Sequence, residues 1–215
     1  MKAAVLHQVG QLPKYDEMQD PTPKSDEQVV LHVKAAGVKQ LDRSKASGKH
    51  YTSYPSLPTA VGTDGAGLLD DGTKAYAVGI TGTIAEKALI GTHSWVPLPD
   101  NIDFAVAAAL PNALLGSDAA LLYRAKMKKG DVVLVNGATG VTGKVAVQIA
   151  KYRGASRVIA TGRNEAVLED LKKHGADEII PLKQDDATII ETIKNIHQAT
   201  PIDIVLDYLW GHPVE

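Results

Sequence analysis

The sequence predicts an α/β fold, a β-rich N-terminal part followed by a doubly wound parallel sheet that lacks its last strands. Three observations predict it. Val132 to Val135 leads directly into a turn with glycine at every third position, Gly137, Gly140 and Gly143, and then into an amphipathic helix from Lys144 to Lys151. From Asp131 onward, apolar strand-like runs alternate with helical ones, the pattern of a parallel sheet with right-handed crossovers. Before Pro99 the chain carries short β-like runs interrupted by the turns Asp20-Pro21-Thr22-Pro23 and Asp70-Asp71-Gly72, as a compact β domain would.

Taken in order, Lys2 to Leu6, Gln28 to Lys34, Ala60 to Leu69 and Lys74 to Val78 read as strands. From Phe104 the texture turns to alanine- and leucine-rich helix, Ala105 to Leu110 and then Leu114 to Arg124, with Pro111 marking a break between them. Basic residues and glycine at Lys129-Gly130 close this stretch. The domain boundary falls between Asn101 and Ala125, which divides the chain into residues 1–110 and 111–215. The second part reads as strand Asp131 to Val135, helix Val141 to Arg153, strand Arg157 to Thr161, helix Glu165 to His174 and strand Glu178 to Pro181. Helix Asp186 to His197 and strand Ile202 to Asp207 follow.

With 215 residues, 44% of them hydrophobic, the chain can bury a core. A formal charge of -2 with scattered lysines gives no field for nucleic acid or an anionic membrane. Cysteine is absent, which removes disulfides, thiolate nucleophiles and cysteine-ligated zinc. The seven histidines, His7 to His212, show no His-x-x-x-His pairing. Met1 to Leu6 lacks the apolar core of a signal peptide, and no run approaches transmembrane length. A cytoplasmic protein with no nucleic-acid and no membrane partner is the expectation.

A strand, a glycine-rich turn and a helix entry let backbone N–H groups and a helix N-terminus hold a pyrophosphate. Gly137, Ala138, Thr139, Gly140, Val141, Thr142 and Gly143 are therefore the first candidates to bind a dinucleotide. Thr139 and Thr142 either offer hydroxyls to phosphate or cap the helix. The second strand ends at Gly162-Arg163-Asn164 with no carboxylate at its tip. An acid there would grip an NAD ribose, whereas Arg163 can clamp a 2′-phosphate. NADP is favoured over NAD on this ground, with a solvated loop arginine as the alternative for Arg163. Glu165 and Glu169 follow on a helix and are expected to face solvent.

Five further segments carry a family resemblance. They are Met1 to Val5, Val33 to Val38 leading to Asp42, Val61 to Gly67, Val96 to Asp100 with Ala107 to Pro111, and Gly137 to Gly143 with Val147 to Lys151. In that order they resemble the medium-chain dehydrogenase/reductases of the zinc-independent quinone oxidoreductase type. The resemblance implies a GroES-like β domain beside a Rossmann domain, NADPH as cofactor and hydride transfer to a quinone, enone or related carbonyl. It also implies a small-molecule substrate, and it leaves a homodimer open. Zinc-dependent relatives place cysteine and histidine where this chain has Lys39-Gln40 and Thr63-Asp64. Short-chain reductases are set aside because about 130 residues precede the glycine turn and no tyrosine is followed four positions later by lysine.

By position in the family pattern, Tyr51, Lys39 and Asn112 are the catalytic candidates, with Ser44 and Ser117 nearby. Tyr51 is the foremost donor for a developing oxyanion, against a role only in packing. Asp42 more plausibly fixes its loop, and Asn112, after the break at Pro111, either reaches the nicotinamide or caps a helix. The segment Leu68 to Lys74 is shorter than the family pattern, and the chain ends after a fourth sheet strand where a Rossmann sheet has six. A fragment of a longer enzyme is the favoured reading, and a non-catalytic NADPH-binding protein is the alternative. Ile202 to Asp207 is then expected at the sheet edge, with Leu206, Leu209 and Trp210 poorly covered.

Overall fold

The computed structural model describes residues 1–211. His212 and the closing Pro213-Val214-Glu215 lie outside the described residues. The chain divides into two compact units, Met1–Pro111 and Asn112–Glu215.

In the first unit, β1 (Lys2–Leu6) lies between β2 (Lys14–Glu17) and β4 (Thr59–Ala60) in an antiparallel sheet. β3 (Gln28–Ala35), β5 (Asp64–Leu68), β6 (Lys74–Gly79) and β7 (Lys87–Pro97) close into a barrel. Alternation decides what the barrel buries. Along β6, Ala75 and Ala77 point inward to meet Leu31 and Ile90, while their neighbours are partly or fully exposed. The short helix α1 (Gln40–Ala46) follows β3.

Four of these features correct the sequence reading. Ala60 to Leu69 is two strands, because Gly62 takes φ +110° and turns the chain between them. β2 and β7 were not foreseen. β2 is Lys-Tyr-Asp-Glu, exposed throughout, and β7 buries Ala88, Leu89 and Ile90 in succession and then becomes partly or fully exposed, so it shows no apolar alternation. The third and fourth corrections meet in α2 (Phe104–Ala119), which runs unbroken through Pro111 and passes into a π-helical segment, Ala120–Arg124.

Asn112 therefore stands exposed inside a helix rather than at a break or cap. The joined helix, Phe104–Arg124, has 21 residues and is long and apolar enough to cross a membrane by length and composition. That overturns the expectation that no run reaches this length. Its Ala107 and Ala108 nevertheless pack in the core of the first unit, and Leu121 packs in that of the second.

The second unit alternates β8 (Val132–Asn136), α3 (Val141–Tyr152), β9 (Arg157–Gly162), α4 (Glu165–Lys172), β10 (Glu178–Pro181), α5 (Asp186–Ala199) and β11 (Ile204–Asp207). The strands are parallel in the order β10-β9-β8-β11. β8 is buried along its whole length, as a parallel strand covered on both faces must be. Val133, Val135, Val147, Ala150, Val158 and Leu168 join the main core, and Leu134, Ile159 and Ile180 form a second one. The order places β8 and β11 on either side of a topological switch point, where ligands of such sheets bind outside the carboxyl ends of the strands. β11 is an edge as anticipated, but Leu206 is buried and only Val205 and Trp210 stand well exposed.

Candidate functional site

The glycine turn lies at the switch point, between the end of β8 and the start of α3. Gly137 takes φ +85°, which a side chain would strain. At Gly143 a Cβ would come within 2.6 Å of Ala138 Cα and nearer still to the Gly137 carbonyl, so α3 reaches this depth only with glycine there. Gly140 differs, because its Cβ would meet nothing nearer than 3.8 Å. The space beside it is open. Gly140 is also the N-cap of α3 and makes no side-chain cap hydrogen bond. Neither Thr139 nor Thr142 caps the helix, and its first N–H groups are left for an outside acceptor.

Beneath the turn, three strand ends are tied together by polar side chains. Thr161 Oγ1 donates to Asn136 Oδ1 at 2.6 Å and accepts from the Gly137 N–H at 3.3 Å. Asn136 Nδ2 donates to Asp207 Oδ1 at 2.7 Å. The same carboxylate accepts the Leu209 N–H at 3.2 Å and the Trp210 N–H at 3.0 Å. The loop after β11 is thus fixed from below. Tyr208 follows Asp207, and its hydroxyl lies 2.7 Å from Ser117 Oγ, a buried group on α2. Burial raises the Tyr208 hydroxyl above its ordinary pKa, and the bond to Ser117 opposes this.

These pieces line a cavity of about 420 Å³ walled by Gly137, Thr139 to Gly143, Gly162, Arg163, Tyr208 and Leu209. A second hollow adjoins it through Thr139 and Arg163 and is completed by Asn164, Glu165 and Lys183. Arg163 and Lys183 are exposed and make no hydrogen bond or ion pair among the described residues. Asn164 has a local duty as well, because its side chain accepts the Val167 N–H at 3.2 Å and caps α4. Glu165 and Glu169 are both exposed as anticipated, Glu169 pairing with Lys172 and Glu165 standing at the rim beside Arg163. Lys183, Tyr208 and Leu209 were missed in the sequence, since each lies just past a strand end and only the sheet order brings it to the glycine turn.

The first unit's candidates are described within that unit. Lys39 forms a buried ion pair with Asp64 and donates to the Gly37 carbonyl at 3.2 Å. Asp64 also accepts the Tyr76 hydroxyl at 2.6 Å, and this phenol is pushed well above its ordinary pKa by burial, then by the hydrogen bond and the charge of Asp64. Asp42 accepts the Lys39 N–H at 2.9 Å and the Thr63 hydroxyl at 2.7 Å, which fixes the loop. Tyr51 is 94% exposed and stacks at a tilt on His50. Ser44 lines a cavity of about 690 Å³ with Leu12, Val38, Gln40 and Lys49, and neither Tyr51 nor Lys39 reaches it. Among the described residues no group of three or more His, Asp or Glu could hold a metal ion.

The model of the "zinc-binding dehydrogenase" family matches residues 141–214, within the second unit. A quinone oxidoreductase of Rattus norvegicus is 32% identical over 88% of this chain and 59% of its own length. An NADPH-dependent alkenal/one oxidoreductase of Arabidopsis thaliana, named as chloroplastic, is 35% identical over 71% of the chain and 44% of its own length. Among solved structures, the quinone oxidoreductase of Thermus thermophilus, also studied in complex with NADPH, superimposes with a TM-score of 0.83 at 28% identity. That match covers 100% of this chain and 68% of the other. The chain spans less than two thirds of the length of the rat and plant relatives. Parallel sheet, glycine turn, barrel and relatives agree, and together they support a place among the quinone oxidoreductase-like medium-chain dehydrogenase/reductases.

Proposed function

We propose that this chain belongs to an NADPH-dependent oxidoreductase that transfers a hydride, without zinc, to a quinone, enone or related carbonyl compound. One observation carries the reading. The uncapped N-terminus of α3 opens beside Gly140, and Arg163 and Lys183 stand uncommitted at the ends of the two neighbouring strands. The open space at Gly140 fits a diphosphate, which the N–H groups of Val141, Thr142 and Gly143 at the start of α3 would hold, the Ala138 N–H being taken by the Thr161 carbonyl. Two cations against the single carboxylate of Glu165 fit a 2′-phosphate better than a free ribose hydroxyl. When bound, NADPH supplies the hydride, and the protein's share is orientation and electrostatics.

Of the catalytic candidates, Lys39 is committed to Asp64 and serves the first unit as an anchor. Tyr51 has no hydrogen-bond partner for its hydroxyl among the described residues and remains the donor we assign to the oxygen that gains charge as hydride arrives. Asn112, exposed on α2, is a secondary contact. The absence of cysteine from the sequence, with no gathered ligand set among the described residues, supports metal-free chemistry. The cytoplasm is the proposed location, although the plant relative is named for the chloroplast.

Titration of the chain with NADPH and NADH, alongside Arg163→Ala, tests the cofactor assignment. The substitution should weaken NADPH at least tenfold and leave NADH nearly unchanged, and equal loss for both would refute the 2′-phosphate role. Stopped-flow NADPH oxidation with a quinone and enone panel tests the reaction. Tight NADPH binding without oxidation would favour the second reading, a cofactor-binding protein without catalysis. The burial of Lys39 in an ion pair is the observation on that side.

A further inference from the structure

Tyr208 is the residue of the dinucleotide cavity that neither the glycine turn nor the phosphate assignment uses. We propose that its hydroxyl, held in place by Ser117, binds the nicotinamide-ribose half of NADPH. The inference rests on the cofactor reading above.

The direction of the ligand follows from the cations. In the two adjoining hollows the positive side chains, Arg163 and Lys183, both lie at the ends of β9 and β10. The 2′-phosphate and its adenosine half therefore belong on that side. The diphosphate crosses the N-terminus of α3, and the rest of the molecule must continue over the switch point toward the end of β11. What the cavity presents there is Tyr208 and Leu209. A neutral phenol beside an aliphatic side chain suits a ribose or carboxamide on an apolar ring, and brings no positive charge to a phosphate.

The hydroxyl is also built to be used. Tyr208 is partly exposed at 37%, whereas its partner Ser117 is fully buried. Ser117 Oγ can donate to the Ala113 carbonyl at 3.4 Å and accept from Tyr208 at 2.7 Å. In that arrangement the phenol oxygen keeps a lone pair for a ribose hydroxyl or a carboxamide N–H. The backbone beneath is fixed too, with the Tyr208 N–H donating to the Asn136 carbonyl at 3.1 Å and Asp207 holding the next two N–H groups. Ring and loop are thus placed before any ligand arrives, which spares the cost of ordering them on binding. Burial raises the phenol above its ordinary pKa, against the opposing bond to Ser117.

The test compares NADPH with 2′,5′-ADP, which carries the adenosine half and no nicotinamide, by calorimetric titration of the full chain. Tyr208→Phe keeps the ring and removes the oxygen. It should weaken NADPH about fivefold and leave 2′,5′-ADP within twofold of wild type. Ser117→Ala should show the same selective loss at smaller amplitude, because it frees the ring without removing its hydroxyl. Equal losses for both ligands in Tyr208→Phe would mark general damage to the cavity and overturn the inference, as would unchanged binding of both. Failure of the wild-type chain to bind 2′,5′-ADP would instead strike at the cofactor reading itself, and this inference would fall with it.

Discussion

The polar cluster around Lys39 and Asp64 in the first unit and the cluster of Asn136, Thr161 and Asp207 in the second are built from similar groups, and they end differently. In the first, the ammonium, the carboxylates of Asp64 and Asp42, and the hydroxyls of Tyr76, Thr63 and Thr83 answer one another. Nothing is left over. In the second, the side chains also satisfy each other, but they hold up the start of α3, whose first N–H groups, together with Arg163 and Lys183, are uncommitted among the described residues. A buried polar network is therefore not in itself a site. What marks a site is a surplus of donors facing a space, with a satisfied network behind them.

The largest effect should come from breaking the closed cluster. Asp64→Ala leaves the Lys39 ammonium buried opposite nothing, which costs about 3–5 kcal/mol when one member of such a pair is lost. Chemical denaturation should show that loss while NADPH affinity stays within twofold, and a parallel collapse of affinity would erase the contrast between the clusters. Next come two glycines of the turn. Gly143→Ala drives a methyl group into the turn and should cost about 1–3 kcal/mol as well as NADPH binding. Gly140 has φ -77° and ψ 168° with open space around it. Gly140→Ala should thus leave the melting temperature nearly unchanged yet weaken NADPH tenfold or more, since the methyl occupies the place of the phosphate. If both variants lost stability equally, the space beside Gly140 would not be a ligand's.

The smallest effect is one of pH. Asp118 is held below the ordinary aspartate pKa by its hydrogen bonds to Arg153 and then by the guanidinium charge. A carboxylate depressed in the folded state contributes stability that is complete above its unfolded pKa and disappears as pH falls through the lower folded value. Melting temperature should therefore decline more steeply in wild type than in Asp118→Asn as pH drops from about 5 to 2. Parallel slopes would show the pair to be without consequence.

Sequence legibility followed the same division. The second unit was readable because β8 and β9 are apolar runs buried on both faces and each is punctuated by glycine. In the first unit, β7 pairs Gln28 to His32 with residues about sixty positions away, and its later half carries His93 and Ser94 facing outward. Long-range closure of a barrel leaves little local signal. Pro111 misled for a related reason, since neighbouring helical turns carried α2 past a residue that ordinarily stops one. Among the residues that line the cavity, Gly137, Thr139 to Gly143, Gly162 and Arg163 were singled out from local motif chemistry. Lys183 and Tyr208 were not, because their neighbours are set by the sheet order rather than by spacing along the chain.

One contact in the turn has a consequence for how coenzyme preference could change. The side chain of Thr139 rests on Gly162, where an added Cβ would stand 3.0 Å from Thr139 Oγ1 and closer to its methyl. The loop proposed to hold the diphosphate and the loop proposed to read the ribose are latched at this point. Residue 162 is therefore poorly suited to drift, whereas 163 and 183 project into open space and can be exchanged singly. A switch from one coenzyme to the other would be expected to arise by substitutions at those two positions, leaving the latch untouched. In an engineered library, variation should be concentrated there and kept away from 139 and 162.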